Sequence, residues 1–138
     1  MRMTKCKPHI FVLTLAGAED RRGPLVKQLD DQRLSYELFF GIDGRNGLPA
    51  EYENLIDRQS AQENLGRPMS DPEFACELSH NKIYHKIIER EISCAIILEN
   101  DITISDQLVP FFYNPHLDVL CLAYNAENGF AISQNLMI

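Results

Sequence analysis

The side chains best suited to chemistry stand at Glu99-Asn100-Asp101, an acidic tripeptide that directly follows the apolar run Cys94-Ala-Ile-Ile-Leu98. Two carboxylates on a rigid element supply hard oxygen ligands of the kind that coordinate Mn²⁺ or Mg²⁺. Successive residues of an extended chain face opposite ways, so Glu99 and Asp101 are expected on one side and Asn100 on the other. A cation held there would neutralise charge on a bound diphosphate as the leaving group departs. Acidic residues at strand ends also serve as plain solvated caps, and spacing alone does not separate the two uses.

A second group is Arg21-Arg22, preceded by Glu19-Asp20 at the start of a helical pattern. Guanidinium forks and the N–H groups of a helix start both suit phosphate oxygens. Pairing with Glu19 or Asp20 is the competing reading. The third group is Ser79-His80. Adjacent helical positions diverge by about 100°, so this pair is not a nucleophile facing its base. No GxSxG elbow surrounds Ser79, and the glycines form neither GxxxxGK nor GxGxxG. A triad hydrolase, a phosphate-loop enzyme and a dinucleotide-binding oxidoreductase are therefore disfavoured.

The elements that must position these groups alternate in type. His9 to Leu15 is a β-branched and aromatic run that reads as a strand ending at Ala16-Gly17. Leu25, Leu29 and Leu34 predict a helix over Arg22 to Gln32, with Gly23-Pro24 early enough to disturb its first turn. Ser35 to Phe40 reads as a second strand. It is closed by Gly41-Ile42-Asp43-Gly44-Arg45-Asn46-Gly47, rich in residues that tolerate positive φ. The polar stretch Leu48 to Arg67 holds a short helix over Pro49 to Asp57.

Ser70 and Glu73 then make a capping box, with Pro72 in the first turn, and open a long helix to Glu91. On that helix Cys76, His80, Ile83, Tyr84 and Ile87 form the expected buried stripe, while Lys82, His85, Lys86, Glu89 and Arg90 crowd the other side. Cys94 to Leu98 suits a central strand covered on both faces. Leu108 to Phe112 reads as a helical turn, and Asp118 to Leu122 and Phe130 to Ser133 as later strands. Alternating strands and helices imply an α/β fold with a mostly parallel sheet. In such sheets ligands bind beyond the carboxyl ends of the strands, where the acidic tripeptide lies.

Composition narrows the function classes. The length of 138 residues suits a single domain spanning 1–138. With 13 basic against 20 acidic residues the net charge is −7, which argues against a general nucleic-acid binder. Any bound phosphate must be held locally, by a few arginines, backbone N–H groups or a metal. Cysteines 6, 76, 94 and 121 form no CxxC pair and no zinc-spaced cluster, as expected of reduced thiols in a cytosolic protein. The run from His9 to Leu15 is too short for a signal peptide, and no stretch reaches the roughly 18 apolar residues of a membrane span. The expectation is a cytoplasmic protein that visits the inner membrane face only transiently.

Four stretches, in order, carry a resemblance to a known family: IFVLTLAGAEDRR at 10–22, YELFFGIDGR at 36–45, GRPMSDPEFACELSHNKIYHKIIE at 66–89, and AIILEND at 95–101. Together they resemble glycosyltransferase family 25, the lipooligosaccharide galactosyltransferase-like enzymes whose relatives include collagen galactosyltransferases. The resemblance implies a GT-A-like nucleotide-binding α/β fold, a mostly parallel sheet flanked by helices. It implies transfer of a hexose, commonly galactose from UDP-galactose, to a glycan or lipid-linked oligosaccharide acceptor with inversion, with Mn²⁺ or Mg²⁺ as cofactor. Residue by residue, it assigns Glu99 and Asp101 to the metal and diphosphate, sets Thr14, Arg21, Arg22 and Asp43 near the nucleotide, and has Ser79 and His80 line the cleft.

Two departures stand out. The family's acidic motif reads Glu-Asp-Asp, where this chain has Asn100 in the middle. Family members also run on well past the position of Ile138, so the C-terminal half is expected to be incomplete. Two functions follow: a hexosyltransferase of lipopolysaccharide biosynthesis, or a catalytically incomplete nucleotide-sugar-binding module that dimerises over an exposed sheet edge. A flavodoxin-like or receiver-type domain would carry an acidic pair after its first strand, where this chain has Thr14-Leu15-Ala16.

Overall fold

The computed structural model describes residues 8–104, 120–124 and 131–135. The chain forms two compact units, Met1–Phe40 with Ile87–Ile138, and Gly41–Lys86.

The first unit is built on a sheet of β1 (His9–Thr14), β2 (Glu37–Phe40), β3 (Ala95–Glu99), β4 (Leu120–Tyr124) and β5 (Ala131–Asn135), in the order β2-β1-β3-β4-β5. Strands β2, β1, β3 and β4 run parallel, and β5 is antiparallel to β4. The mostly parallel α/β architecture is thus present. Its register places Val12 beside both Leu38 and Leu98. Ile10, Val12, Ile96 and Leu98 alternate onto one face and pack with Leu25 and Leu29 of α1 (Glu19–Asp31) and with Ile102 and Ile104. Phe11 and Ile97, one residue out of phase, are buried as well. Burial of both faces is why these strands read as unbroken apolar runs.

Strand β2 returns to one side of β1 and β3 lies on the other, so the chain order reverses between β1 and β3. That reversal is the topological switch point of the sheet, and its carboxyl edge is the place where open α/β sheets take ligands. Helix α1 begins at Glu19 rather than at Arg22, with Gly23-Pro24 inside it. Pro24 deprives the Asp20 carbonyl of its helical donor. Full burial of Leu25 and Leu29 on the sheet carries the helix through that gap.

In the second unit the expected helix over Pro49 to Asp57 is a 3-10 turn, Ala50–Leu55, followed by a helix that the hydrophobic pattern did not indicate, α2 (Arg58–Leu65). Asp57 caps α2 by accepting from the Ser60 N–H at 3.0 Å, and Gly66 at φ 72 closes it. Helix α3 (Asp71–Glu89) starts in the expected capping box. The Ser70 N–H donates to Glu73 Oε2 at 2.7 Å, and the Glu73 N–H donates to Ser70 Oγ at 3.3 Å.

The buried residues of α3 are Phe74, Ala75, Ser79 and Ile83, so its inner face is rotated one position from the expected stripe. Cys76 is exposed and His80 only half-buried. Small Ala75 and Ser79 let a backbone approach closely. A Cβ on Gly44 would lie 2.6 Å from the Asp71 carbonyl oxygen and 2.7 Å from the Ala75 Cβ. The expected turn at Leu108 to Phe112 lies outside the described residues. No helix of the described residues is long and apolar enough to cross a membrane.

Candidate functional site at the sheet switch point

Thr14 ends β1, the strand flanked by β2 and β3, and is 2% exposed. Its Oγ1 accepts from Asn100 Nδ2 at 3.3 Å and from Arg22 Nη1 at 3.5 Å. A threonine hydroxyl accepts twice and donates once, so its own proton is left to donate.

Asn100 reaches this position because β3 stops at Glu99 and the chain turns, the Ile102 N–H donating to the Glu99 carbonyl at 3.2 Å. Asn100 and Asp101 are the central residues of that turn. Strand alternation therefore ends at Glu99: Asn100 faces Thr14 instead of pointing elsewhere, and Asp101 is exposed at the tip while Glu99 is half-buried. Turn chemistry overrides the period-two pattern here, since Asn and Asp both favour turns.

Arg22 lies in the opening turns of α1. Its side chain keeps 14% exposure, with Nη2 3.6 Å from Glu19 Oε1. Its guanidinium also overlies the ring of Phe40 at 5.6 Å. Phe40 ends β2 and pairs in register with Thr14. A largely buried cation whose polar contacts among the described residues are long leaves a positive corner at the carboxyl edge of the sheet. The start of α1 adds to it, because Ala18 at the N-cap offers no side-chain cap to the first N–H groups. Gly17, at φ 79, permits the sharp passage from β1 into α1. Arg21 points into solvent. Of the expected nucleotide-site residues, the structure thus brings Thr14 and Arg22 together.

The remaining expected residues, Asp43, Ser79 and His80, belong to the second unit. Asp43 forms a fork with Arg45, Nε at 2.9 Å from Oδ1 and Nη2 at 2.7 Å from Oδ2. The Arg45 side chain and its backbone N–H hold the Asp43 carboxyl down to about 2. Ser79, expected to line a cleft, is 2% exposed. Its hydroxyl accepts from the Ile42 N–H at 2.8 Å and donates to the Ala75 carbonyl at 2.6 Å, which is a structural role. The His80 ring tilts against Tyr84 at 6.3 Å.

Two residues of the switch-point site escaped sequence reasoning. Strand alternation turns Asn100 away, but Asn-Asp after a strand is a turn signal, and the turn brings its amide to Thr14. Phe40 is 54% exposed at the end of its strand, an exposure that pattern alone does not reveal.

A mostly parallel α/β sheet with helix α1 packed on it and a hydroxyl-bearing corner at its switch point has the architecture of a partial Rossmann or GT-A-like fold. More narrowly, residues 7–129 match glycosyltransferase family 25 (LPS biosynthesis protein), and the chain belongs to that family. Procollagen galactosyltransferase 1 of Danio rerio is 25% identical over 97 residues, covering 68% of this chain and 16% of that protein. Procollagen galactosyltransferase 2 of Homo sapiens is 25% identical over 102 residues, covering 72% and 16%. The inactive glycosyltransferase 25 family member 3 of Mus musculus is 24% identical over 101 residues, covering 71% and 17%. The chain spans about a sixth of the length of these curated relatives.

Proposed function

We propose that this chain binds the nucleoside diphosphate of a sugar-nucleotide donor at the carboxyl edge of β1 and β3, as part of a hexosyltransferase that uses UDP-galactose or a related donor. The observation that carries this reading is the convergence of Thr14, Arg22 and Asn100 on one corner. Arg22 there supplies fixed positive charge for phosphate oxygens, and the start of α1 supplies N–H donors. Arg21, one residue away and exposed, adds a second cation for the outer phosphate.

The acceptor is a glycan hydroxyl, on a lipid-linked oligosaccharide in the family's lipopolysaccharide setting, met at the inner membrane face. Its oxygen forms a bond to the anomeric carbon as the bond to the diphosphate oxygen breaks on the opposite side. The hydroxyl proton passes to a carboxylate base, and the diphosphate leaves with the electron pair. Glu99 and Asp101 each offer carboxylate oxygens, donors of the kind a hard cation takes. Mn²⁺ or Mg²⁺ bound by them would offset the charge of the diphosphate.

Asn100 favours a second reading, a module that binds the donor without turning it over. The family's acidic motif has a carboxylate where this chain donates an amide to Thr14. A relative named as inactive stands among the similar proteins. Calorimetry with UDP, with and without Mn²⁺, tests binding, and UDP release from UDP-galactose in the presence of acceptor tests turnover. Binding with turnover supports the enzyme and binding alone the module. Absence of UDP binding by the wild-type chain, or equal Mn²⁺ affinity for wild type and Asp101→Ala, overturns the corresponding assignment.

A further inference from the structure

Phe40 is a large apolar side chain left 54% exposed at the carboxyl edge of the sheet, beside a cation that is mostly withdrawn from water. Among the described residues, three groups hold the Arg22 guanidinium there. The Thr14 hydroxyl lies 3.5 Å away, at the long limit of a hydrogen bond. Glu19 lies 3.6 Å away and is itself 67% exposed, so water weakens its pull. The third is the Phe40 ring, whose face attracts the cation through the aromatic quadrupole.

That third contact differs from the others in kind. It holds the charge without engaging any N–H donor, so the donors of the fork stay available to phosphate oxygens. A carboxylate in the same place would compete with phosphate for those donors. Register fixes the arrangement, since Phe40 stands opposite Thr14 and both border the passage from β1 into α1.

On the strength of the donor-binding reading above, on which it rests, we infer that Phe40 is a positioning residue: its ring holds the Arg22 guanidinium at the carboxyl edge for the donor diphosphate and does not itself touch the ligand. A nucleobase stacked on Phe40 is the rival role, and the two give opposite results with fragments of the donor.

The experiment titrates UDP, inorganic pyrophosphate and uridine into the full chain and its Phe40→Ala, Phe40→Leu and Phe40→Tyr variants. Phe40→Leu keeps apolar bulk and removes the aromatic face, whereas Phe40→Tyr keeps the face. We expect Phe40→Ala and Phe40→Leu to weaken UDP and pyrophosphate by roughly three- to tenfold, with uridine affinity unchanged and Phe40→Tyr restoring both. Without any ligand, the Arg22 Nε–H resonance should carry a ring-current shift in wild type and Phe40→Tyr that is lost in the other two. Phe40 is half-exposed, so folding should survive all three changes, as circular dichroism will check. Wild-type affinity for pyrophosphate in Phe40→Leu overturns the inference alone. A loss confined to uridine and UDP makes Phe40 a base platform and also overturns it. If the wild-type chain binds neither UDP nor pyrophosphate, the donor reading fails and the inference with it.

Discussion

The Nδ2 of Asn100 donates to the Oγ1 of Thr14 at 3.3 Å, joining residues 86 apart in sequence across the switch point of the sheet. The same oxygen accepts from Arg22, so one buried hydroxyl ties together the end of β1, the opening of α1 and the turn after β3. Thr14→Val keeps the shape and removes the acceptor, stranding two donors that are partly shielded from water. We expect a loss of about 1–3 kcal/mol in denaturant unfolding. In a double-mutant cycle with Asn100→Ala the effects should be sub-additive by roughly 0.5–1.5 kcal/mol, because either change breaks the same bond. Full additivity would show that the contact contributes nothing in solution.

Ser79 carries a similar load in the second unit. Its hydroxyl sits between the Ile42 N–H and the Ala75 carbonyl, fully shielded from water. Ser79→Ala leaves the Ile42 N–H without a partner, at a cost of about 1–3 kcal/mol. Hydrogen exchange at the Ile42 amide should quicken in step with the lost stability. An unchanged exchange rate would mean that the amide finds another acceptor.

Gly44 tests how tightly the Gly41–Gly47 loop is seated. Its backbone lies so near α3 that an added methyl group meets the Asp71 carbonyl oxygen at 2.6 Å and the Ala75 Cβ at 2.7 Å. Neither neighbour is the end of a flexible side chain, so the loop must move. Gly44→Ala should destabilise by about 1–3 kcal/mol, and Gly44→Ala combined with Ala75→Gly should recover part of that loss. Gly23→Ala is the control, because nothing lies within 4 Å of its added Cβ and it sits in helix α1. That change should be neutral or slightly stabilising.

These residues also show where the fold was legible in the sequence. Runs such as Ile10 to Leu13 and Ile96 to Leu98 announce themselves because a strand covered on both faces must be apolar at every position. The Ser70 and Glu73 box is equally open to reading, since its two hydrogen bonds need only local chain geometry. Helix α2 was hidden because it buries no residue and so leaves no hydrophobic period. Only Asp57 and Gly66, its capping residues, betray it. The inner face of α3 lies one position from its apolar stripe because Ala75 and Ser79 face inward through smallness and hydrogen bonding, properties that a count of large apolar residues overlooks. At the site, Arg22 was legible from its place at a helix start, and Thr14 only through the family resemblance. Asn100 and Phe40 depend on a turn and on a cross-strand register, which exist only once distant segments meet.

Acid should loosen the chain through two exposed carboxylates whose folded-state affinities for protons are depressed. The Arg67 guanidinium, then the Ser70 backbone N–H, bring Glu73 from 4.5 down to about 2, and Arg45 brings Asp43 from 3.8 down to about 2. In the unfolded chain both groups return to their ordinary values and bind protons more readily. Between about pH 4.5 and 2 the unfolded state therefore takes up more protons, and stability falls as pH falls. Above that window both carboxylates are ionised in either state, so their contribution is fully present and flat with pH. Solvent screens both pairs, which keeps the effect modest. Glu73→Gln preserves the acceptor for the Ser70 N–H and removes the titration, so its unfolding free energy should vary less between pH 5 and 3 than that of the wild type. Salt at high concentration should flatten the wild-type curve toward that of the variant, because it weakens the Arg67 pair and leaves the capping hydrogen bonds in place. A variant curve as steep as the wild-type one would show that Glu73 titrates normally in the folded chain, and that the acid response comes from other carboxylates.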